Sequence, residues 1–397
     1  MTLNDFFIGD TLTLNWDYIW TLPYFCDMHK TEQNPRWHSE GTAKEHTILV
    51  VNNMFKQVEG DNFEVGYSLH KRRLLILAAL FHDVGKPNTT FKGKDDNWHS
   101  YGHENVGEKL ARRMLWDWDI KDREFICHLV KYHMSPLFVF KQNDPDKTIK
   151  RMMSSVDWVS LERLKMCDLL GAIQDPEFST KEQDKQIIED FGKRCFDIDY
   201  DKKFTTSMVD QLGVGEFSLC DEDTSIKNFK VKEKKGTLHV MIGLPGSGKN
   251  TYLAEKIATS EISADALILS RDDIRVELGF CTEDEKIVGT DAQEKAVTKL
   301  FNERLNEAIK ARRDIVVNNI NLSEKRRKAL KNQCPNYEVV YWYVEAPTLA
   351  DNLRRREGQI GGKVFDNMIS NFDFPQLFEC NILNIFKQSK EDENSTN

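Results

Sequence analysis

One group of residues that could perform chemistry lies in the N-terminal half of the chain and consists of histidines and aspartates. His82 and Asp83 stand side by side at the end of an apolar helical stretch, LLILAALFHDVGK. A buried pair of this kind is costly without a partner, and its adjacent imidazole and carboxylate can bind one metal ion. His46 and Asp168 interrupt two other apolar stretches, and further histidines stand at positions 99, 103, 128 and 133. Because imidazole and carboxylate are ligands of transition metals, the pattern predicts a helical bundle with a metal site at its centre.

A second group forms a phosphate-binding loop. The sequence GLPGSGK, residues 243–249, follows the apolar run LHVMI and precedes a helix-forming segment. Glycines let backbone N–H groups surround phosphate oxygens, the helix N-terminus adds positive potential, and Lys249 can reach the β and γ phosphates. The residues predicted to bind a nucleotide here are Gly243, Gly246, Ser247, Gly248, Lys249, Asn250 and Thr251.

Position 250 departs from the usual loop, in which a serine or threonine binds Mg²⁺. Asn250 stands there instead. Its amide oxygen could bind the ion, or Thr251 could substitute after a shift of register. Both alternatives remain open at the level of the sequence.

Charged residues follow the second strand of this region, and a basic segment occurs further along it. The run SRDDIR places Asp272 and Arg275 where ligands bind in open α/β sheets, and there a carboxylate can accept a proton while an arginine grips a phosphate. A solvated turn is the simpler alternative for this run taken alone. The later segment RRREGQIGGK is basic and contains a Gly-Gly pair, a composition typical of a lid over phosphates.

Two kinds of elements must position these residues. Helical periodicity without an alternating strand pattern extends over residues 1–220, and its clearest segments are 42–55, 72–84, 104–116, 123–133 and 156–173. Residues 221–236 are charged and form the expected linker. Strands and helices alternate over 237–387, which predicts an α/β domain with a parallel sheet. The tail, 388–397, is expected to be disordered.

Composition narrows the possible classes of protein. The 397 residues carry a net charge of −9, which argues against broad electrostatic coating of nucleic acid. The longest apolar run is far shorter than the ~20 residues of a membrane span, and the first residues lack a basic segment. Eight cysteines occur without a CxxC pair, as expected for reduced thiols, so we expect a cytoplasmic protein that contacts no membrane.

Residues 33–172 contain the phrases PRWHSEG, EHT, LFHDVGKP, YGHE, LVKYHM and CDLLG. Their order resembles the HD-domain metal-dependent phosphohydrolases, in the branch that includes the HD domains of bacterial tRNA nucleotidyltransferases. The resemblance implies an all-α HD-type bundle that hydrolyses phosphoesters with a divalent Mn, Ni, Co, Fe or Zn ion, which would activate water. It implies a first metal at His46, His82, Asp83 and Asp168, and a second at His103 and His133.

The same resemblance assigns substrate contacts. Lys86 matches a lysine that neutralises a phosphate, and His38 matches a substrate-binding histidine of the WHSEG loop. His99 and His128 match no clear position. Ala172 stands where related domains often carry an arginine after DxxG, so phosphate recognition is expected to differ.

Residues 238–375 contain GLPGSGKNT, SRDDIR, NINLSEKRR and the RRR segment. They resemble the P-loop domain of polynucleotide 5′-kinases. The resemblance implies Asp272 as the general base, Arg275 as a contact to a substrate phosphate, and Lys249 as the group that stabilises the transferred phosphoryl. Arg354 or Arg356 would clamp the phosphates from the lid. Asn319 stands where the aspartate of a DxTN phrase is expected.

Together the two halves resemble bifunctional RNA end-healing enzymes. Such an enzyme would remove a 2′,3′-cyclic or terminal phosphate and would phosphorylate a 5′-hydroxyl with ATP or GTP and Mg²⁺. Its partners would be RNA ends, or alternatively DNA ends, and a separate RNA ligase. One rival is an HD phosphohydrolase of free nucleotides with a regulatory P-loop domain. Another is an NTP-dependent RNA-binding module with a structural metal cluster. The sequence does not indicate the oligomeric state.

Overall fold

A computed structural model describes residues 1–59, 67–202, 217–218, 235–282, 289–356 and 360–388. The chain divides into two compact units, Met1–Leu212 and Gly213–Asn397. The expected linker, 221–236, lies outside the described residues except for its last two positions, and the expected tail lies outside them except for Gln388. The domain limits at 220 and 237 therefore stay a prediction. None of the described helices is long and apolar enough to cross a membrane.

The described part of the first unit is mainly helical, as expected. Its α-helices are α1 (Trp16–Ile19), α2 (Ala43–Glu59), α3 (Leu69–Phe81), α4 (Lys86–Thr89), α5 (His103–Met114), α6 (Ile120–Tyr132), α7 (Ser135–Phe138), α8 (Pro145–Met153), α9 (Trp158–Gly171) and α10 (Lys181–Lys202). Short 3₁₀ turns lie at Leu3–Phe6, Met28–Lys30 and Val139–Lys141.

Helix α3 is the centre of this unit. Every residue from Arg73 to Phe81 is buried, because α2, α6 and α9 all pack against it. The run LLILAALF is therefore apolar on all sides rather than on one stripe. The Ser68 hydroxyl caps its first turn by accepting a hydrogen bond from the Lys71 N–H. The helix ends at Phe81, so the His82-Asp83 pair emerges from the middle of the bundle.

A small hairpin between α4 and α5 was not predicted from the sequence. Its strands are β1 (Phe91–Lys92) and β2 (Trp98–His99), which pair antiparallel. The expectation of an uninterrupted helical domain is wrong at this point. Two-residue strands are too short to produce a visible alternation of polar and apolar side chains.

The second unit contains a six-stranded sheet with the order β3-β8-β7-β4-β6-β5. The strands are β3 (Phe217–Ser218), β4 (Thr237–Ile242), β5 (Leu267–Leu269), β6 (Ile315–Asn318), β7 (Glu338–Glu345) and β8 (Ile382–Lys387). Its α-helices are α11 (Lys249–Ala258), α12 (Arg271–Glu277), α13 (Asp291–Lys310), α14 (Glu324–Gln333), α15 (Leu349–Arg354) and α16 (Gly362–Ser370). A 3₁₀ turn lies at Leu377–Glu379.

Five strands of this sheet are parallel, and β3 joins the β8 edge antiparallel. Strand β4 is buried along its whole length, which explains its continuous apolar run. The predicted class, a helical bundle followed by an α/β domain with a parallel sheet, is confirmed. Since the strands are parallel, the segments after β4, β5, β6 and β7 meet at the carboxyl edge of the sheet, where ligands bind in such folds.

Candidate functional sites

The first candidate site lies where the ends of several helices converge in the bundle. His46 lies in α2, His82 and Asp83 follow α3, and His103 begins α5. His133 follows α6, and Asp168 lies in the last turns of α9. All six side chains are buried. The structure thus brings together residues that are spread over more than a hundred positions of sequence.

Asp83 is the centre of this cluster. Its Oδ2 atom lies 3.2 Å from His82 Nε2 and 3.6 Å from His46 Nε2. Its Oδ1 atom lies 3.2 Å from His103 Nε2 and 4.0 Å from His133 Nε2. One carboxylate therefore faces two groups of imidazoles, and each group with Asp83 has a spacing that could hold a metal ion. The resemblance implies a first and a second metal at these two groups, and that assignment stays a prediction.

Asp168 closes the first group from the other side. Its Oδ1 atom lies 2.9 Å from His46 Nε2 and 3.8 Å from His82 Nε2. Its Oδ2 atom accepts a hydrogen bond of 2.6 Å from Lys165 Nζ. Burial acts to raise the pKa of Asp168, but Lys165 and His46 outweigh it and hold the pKa well below its usual range. The carboxylate is therefore ionised, the form that binds a metal.

Hydrogen bonds at the Nδ1 atoms orient the histidine rings of the cluster. The Nδ1–H groups of His82, His103 and His133 each donate a hydrogen bond of 2.7 Å to a backbone carbonyl three residues earlier. These bonds fix the tautomer whose Nε2 lone pair points into the cluster. His46 is held by a carboxylate instead, because its Nδ1 atom lies 2.8 Å from Glu40 Oε1.

The donor set fits a divalent transition metal. His82 Nε2 is buried without a hydrogen-bond partner and faces Asp83 Oδ2. Two electron-rich atoms in contact repel each other unless a cation lies between them. Burial acts to raise the pKa of Asp83, but the Lys86 ammonium beside it helps to hold the pKa well below its usual range. Burial and the neighbouring His103 hold the pKa of His133 well below its usual range, so this imidazole is neutral and able to bind a metal.

Lys86 and His38 lie at the edge of the cluster. Lys86 Nζ lies 2.6 Å from Asp83 Oδ2 and donates a hydrogen bond of 2.6 Å to Gln33 Oε1. His38 Nδ1 lies 2.8 Å from Glu40 Oε1. Burial and the charge of Lys86 lower the pKa of His38 to about 4, which leaves this ring neutral. Both residues lie beside the cluster, and their roles in binding substrate stay predictions.

Two polar residues here were missed by sequence reasoning. Gln33 binds Lys86, and Glu40 accepts from both His38 and His46 while its second oxygen accepts from the Ile173 N–H at 2.8 Å. Glu40 lies within the WHSEG phrase, but its residue type alone gave no signal of a contact across six positions. Ala172 is buried at the end of α9.

The remaining histidines do not enter the cluster. His70 pairs with Asp122, His99 pairs with Asp95 on the hairpin, and His29 contacts a backbone carbonyl. His128 is buried beside Glu124 at 3.7 Å, and burial lowers its pKa to about 4. It lies beside a buried ionic network between α5 and α6 and outside the candidate metal-binding cluster.

The second candidate site is the loop between β4 and α11. Gly246 and Gly248 have φ angles of +76° and +86°, which favour glycine. A Cβ atom on Gly246 would lie 2.5 Å from the Asn352 carbonyl oxygen, so no larger residue fits. Lys249 Nζ donates to the carbonyls of Gly243 and Leu244 at 2.9 and 3.0 Å. Burial and the charge of Arg356 lower the pKa of Lys249 to about 7.

Two consecutive asparagines at the end of β6 have different contacts. Asn318, not Asn319, faces Asn250: Asn318 Nδ2 donates to Asn250 Oδ1 at 3.0 Å. Asn319 Oδ1 instead accepts from the Arg271 N–H at 3.0 Å and so binds the first turn of α12. Strand β6 ends at Asn318, and consecutive side chains point in opposite directions, so the two asparagines have different partners. The oxygens near the loop are thus neutral amides, while Thr251 is exposed in α11.

Asp272 and Arg275 contact each other on the first turns of α12. Asp272 Oδ1 lies 2.5 Å from Arg275 Nη1. Glu294 of α13, which sequence reasoning missed, binds the same arginine at 2.7 and 2.9 Å. The hydrogen bond from Arg275 lowers the pKa of Glu294 to about 2. The arginine predicted to bind substrate is therefore engaged by two carboxylates of its own domain.

The predicted lid arginines occupy different environments. Arg354 is 60% exposed, and its guanidinium lies 3.3 Å from Asp351 Oδ1. Arg356 instead lies close enough to Lys249 for its charge to lower the pKa of that lysine. The intervening Arg355 contacts the phosphate loop directly, because its Nη1 donates to the Gly246 carbonyl at 3.0 Å and to Gln388 Oε1 at 2.7 Å. Its role was missed because all three arginines look alike in sequence.

Comparison with known proteins identifies the two units. Residues 44–156 match the family model of the HD domain, and residues 238–375 match a family model described as an AAA domain. No curated protein matches the chain. The chain is similar to one in "Structure of the Pnkp1/Rnl/Hen1 RNA repair complex", with 18% identity over 38% of this chain and 50% of that one and a TM-score of 0.31. The chain is also similar to one in "Structure of Pnkp1/Rnl/Hen1 complex", with 19% identity over 40% of this chain and 47% of that one and a TM-score of 0.28. The chain thus spans about half the length of these structures.

The chain therefore combines a helical domain, whose buried cluster could hold a metal ion, with an α/β domain that contains a phosphate loop. A region that matches the HD-domain model is thus followed by a region that matches the AAA-domain model and contains the phosphate loop. The combination that the sequence predicted is confirmed.

Proposed function

We propose that this protein heals broken RNA ends with two active sites. Its HD domain would hydrolyse a 2′,3′-cyclic phosphate or a terminal 2′- or 3′-phosphate. Its P-loop domain would transfer the γ-phosphate of ATP or GTP to a 5′-hydroxyl, and a separate RNA ligase would then seal the corrected ends. The observation that carries the proposal is the Asp83-centred cluster with Lys86 at its edge, in the same chain as a phosphate loop whose sheet edge also carries Asp272.

In the HD domain, His46, His82, Asp83 and Asp168 would hold one metal ion, and His103 and His133 would complete a second site with Asp83. A bound ion would polarise a phosphoryl oxygen and lower the pKa of bound water. The buried Lys86 ammonium offers a positive charge to the phosphate of the substrate. The neutral His38 ring donates its Nδ1–H to Glu40, so its Nε2 atom can accept one hydrogen bond at the bound strand end. The backbone carbonyls behind three of the imidazoles keep those rings in place.

In the P-loop domain, Asp272 would accept the proton of the 5′-hydroxyl, because its carboxylate is half-exposed and oriented by Arg275. Lys249 would leave the loop carbonyls to bind the β and γ phosphates, and Arg354 or Arg356 would approach from the lid. Ser247, Asn250 and the main chain of the glycine loop would bind the remaining oxygens. A substrate phosphate would have to displace Glu294 from Arg275.

A second candidate function is favoured by one observation. Asn250 and Asn318 face each other where a Mg²⁺ ion with the nucleotide would be held, and Asn318 Oδ1 is buried without a hydrogen-bond partner. Amide oxygens can bind Mg²⁺, but unlike a carboxylate they bring no negative charge. A P-loop domain that binds NTP without transferring phosphate, beside an HD domain acting on free nucleotides, would be consistent with this pair.

The decisive experiment gives the protein a short RNA with a 5′-hydroxyl and a 2′,3′-cyclic phosphate, together with Mn²⁺ or Ni²⁺, Mg²⁺ and γ-labelled ATP or GTP. We expect label at the 5′ end and loss of the 3′ phosphate. Asp83→Ala should abolish only the 3′ reaction, and Lys249→Ala only the 5′ reaction. Absence of label with every metal, while free nucleotides are hydrolysed, would refute the kinase and support the second candidate. Loss of both reactions from one substitution would contradict independent sites.

A further inference from the structure

The hairpin between α4 and α5 carries aromatic rings that neither site uses. Strands β1 and β2 place Phe91 directly opposite His99, and side chains two residues apart on a strand share a face. Tyr101 follows His99 by two residues. Phe91 is 48% exposed and Tyr101 is 73% exposed. A contiguous exposed patch of large rings is typical of an interaction surface.

The three rings form one continuous surface. The rings of His99 and Tyr101 are stacked, with centroids 5.1 Å apart and planes at 20°. Phe91 lies 5.7 Å from His99 and 5.9 Å from Tyr101, measured between centroids. The Tyr101 hydroxyl donates to His99 Nδ1 at 3.0 Å, and His99 Nε2 lies 2.9 Å from Asp95 Oδ1. These bonds hold the surface in shape without a ligand, so little ordering entropy opposes binding.

Hydrogen bonds connect the hairpin to the HD cluster at both ends. The hydroxyl oxygens of Thr90 and Ser100 lie 2.7 Å apart across its base. Thr90 also donates to the Lys86 carbonyl at 2.8 Å, while the Ser100 carbonyl accepts the Nδ1–H of His103 at 2.7 Å. The hairpin is therefore hydrogen-bonded at one end to Lys86, the residue proposed to bind phosphate, and at the other end to His103, a proposed metal ligand. A strand whose terminal phosphate lies in the cluster would pass beside these rings.

We infer that Phe91, His99 and Tyr101 are a stacking platform for nucleobases of single-stranded RNA next to the 3′ end that the HD domain processes. Unpaired bases stack on aromatic side chains, whereas paired bases are already stacked on each other. The inference deepens the proposed function and rests on it for the location of the 3′ end. It predicts that the HD domain prefers unpaired ends with bases to phosphoesters without them.

The test measures binding by the full-length protein with fluorescent strands. One probe is a short single-stranded RNA with a 3′-phosphate, and the other is an abasic strand of equal length and charge. The variant Phe91→Leu/Tyr101→Leu keeps apolar side chains but removes two rings. Tyr101→Phe keeps the ring and removes only the hydroxyl. Phe196→Leu on α10, where the ring is 58% exposed, is the matched control for losing an exposed ring elsewhere in this unit.

Removal of the rings should weaken binding of the base-containing strand about 5- to 150-fold, the effect expected for losing one stacked base. Binding of the abasic strand should not change, and Phe196→Leu should bind like the unaltered protein. Tyr101→Phe keeps the ring and loses only its hydrogen bond to His99, so it should weaken binding of the base-containing strand less than the double variant does. Equal binding of the base-containing strand by the double variant would overturn the platform. Equal loss for both strands would also overturn it, because the hairpin would then be only structural.

Hydrolysis separates this failure from failure of the proposed function. The same proteins are given the 3′-phosphorylated RNA with Mn²⁺, and phosphate release is measured. If the unaltered protein releases phosphate and the double variant does so with unchanged KM, the platform is wrong and the proposed function stands. If the unaltered protein neither releases phosphate from this RNA nor opens the ring of an RNA that ends in a 2′,3′-cyclic phosphate, the proposed function of the HD domain is wrong. A rise in KM with unchanged kcat in the double variant supports the platform.

Discussion

The buried network between α5 and α6 provides the sharpest test of what holds the HD cluster in place. Glu124 is fully buried and accepts hydrogen bonds of 2.7 Å from Arg112 Nη2 and 2.8 Å from Arg123 Nε. Arg112 also binds Glu108 at 2.8 Å. Helix α5 begins at His103 and α6 ends before His133, so this network fixes the two helices that carry these ligands.

Glu124→Gln keeps the shape of the side chain and removes its charge. Breaking a buried ion pair by removing one partner costs about 3–5 kcal/mol. For a unit of this size, each 1 kcal/mol lowers Tm by about 2–4 °C, so the Tm of the HD domain should fall by roughly 6–20 °C. Burial acts to raise the pKa of Glu124, but Arg112 and Arg123 outweigh it and lower the pKa to about 2. Its stabilisation is therefore complete at neutral pH and is lost as the pH falls from the ordinary glutamate pKa towards that value.

Calorimetry of the full chain measures this effect, and the HD transition is the one that added Mn²⁺ moves to higher temperature. The matched control is Asp122→Asn, which removes the same charge from the same helix. Asp122 pairs with a half-exposed His70, so its loss should cost less than about 1 kcal/mol. Equal, small shifts for both variants would refute the reasoning that the buried network holds α5 against α6.

Two further predictions concern the sites themselves. Glu40→Gln should weaken Mn²⁺ binding about 10- to 100-fold, as expected for the loss of a carboxylate behind a metal ligand, and a calorimetric titration of metal into the protein checks it; an unchanged Kd would show that His46 needs no such support. Because the pKa of Lys249 is about 7 and a bound phosphate must raise it, nucleotide binding should take up a proton and weaken as the pH rises above neutrality. Titrations in buffers of different ionisation enthalpy measure that proton, and its absence in the Lys249→Arg variant is the control.

The sequence predicted the metal cluster better than it predicted the elements around it. His46, His82, Asp83 and Asp168 could be recognised because polar residues inside apolar helical runs are costly and so indicate a shared purpose. Glu40 and Gln33 could not, since they stand in a loop where polar residues are ordinary, and only the fold brings them to His46 and Lys86. The order of motifs along the chain predicts which residues form the cluster. The contacts that support these residues depend on the conformation of the loops around it.

The P-loop domain shows a different limit of the sequence. The glycine loop was predictable, because its spacing is demanded by backbone geometry at Gly246 and Gly248. The register at the end of β6 was not, because consecutive asparagines give no signal of which one faces the loop. Asn318 does so and Asn319 does not. A strand end shifted by one residue exchanges one side chain for the other, so such a position requires coordinates.

The cations of the P-loop domain explain how a chain with a net charge of −9 could bind phosphates. Lys249 binds two loop carbonyls, Arg355 binds a third, and Arg275 binds Glu294 and Asp272. A phosphate that enters must therefore exchange with an oxygen of the protein at each of these groups. When a phosphate replaces a neutral carbonyl, the cation gains an ion pair. When a phosphate replaces Glu294 at Arg275, one anion only takes the place of another. Lys249 should for this reason contribute more to nucleotide affinity than Arg275 contributes to binding of a polynucleotide end.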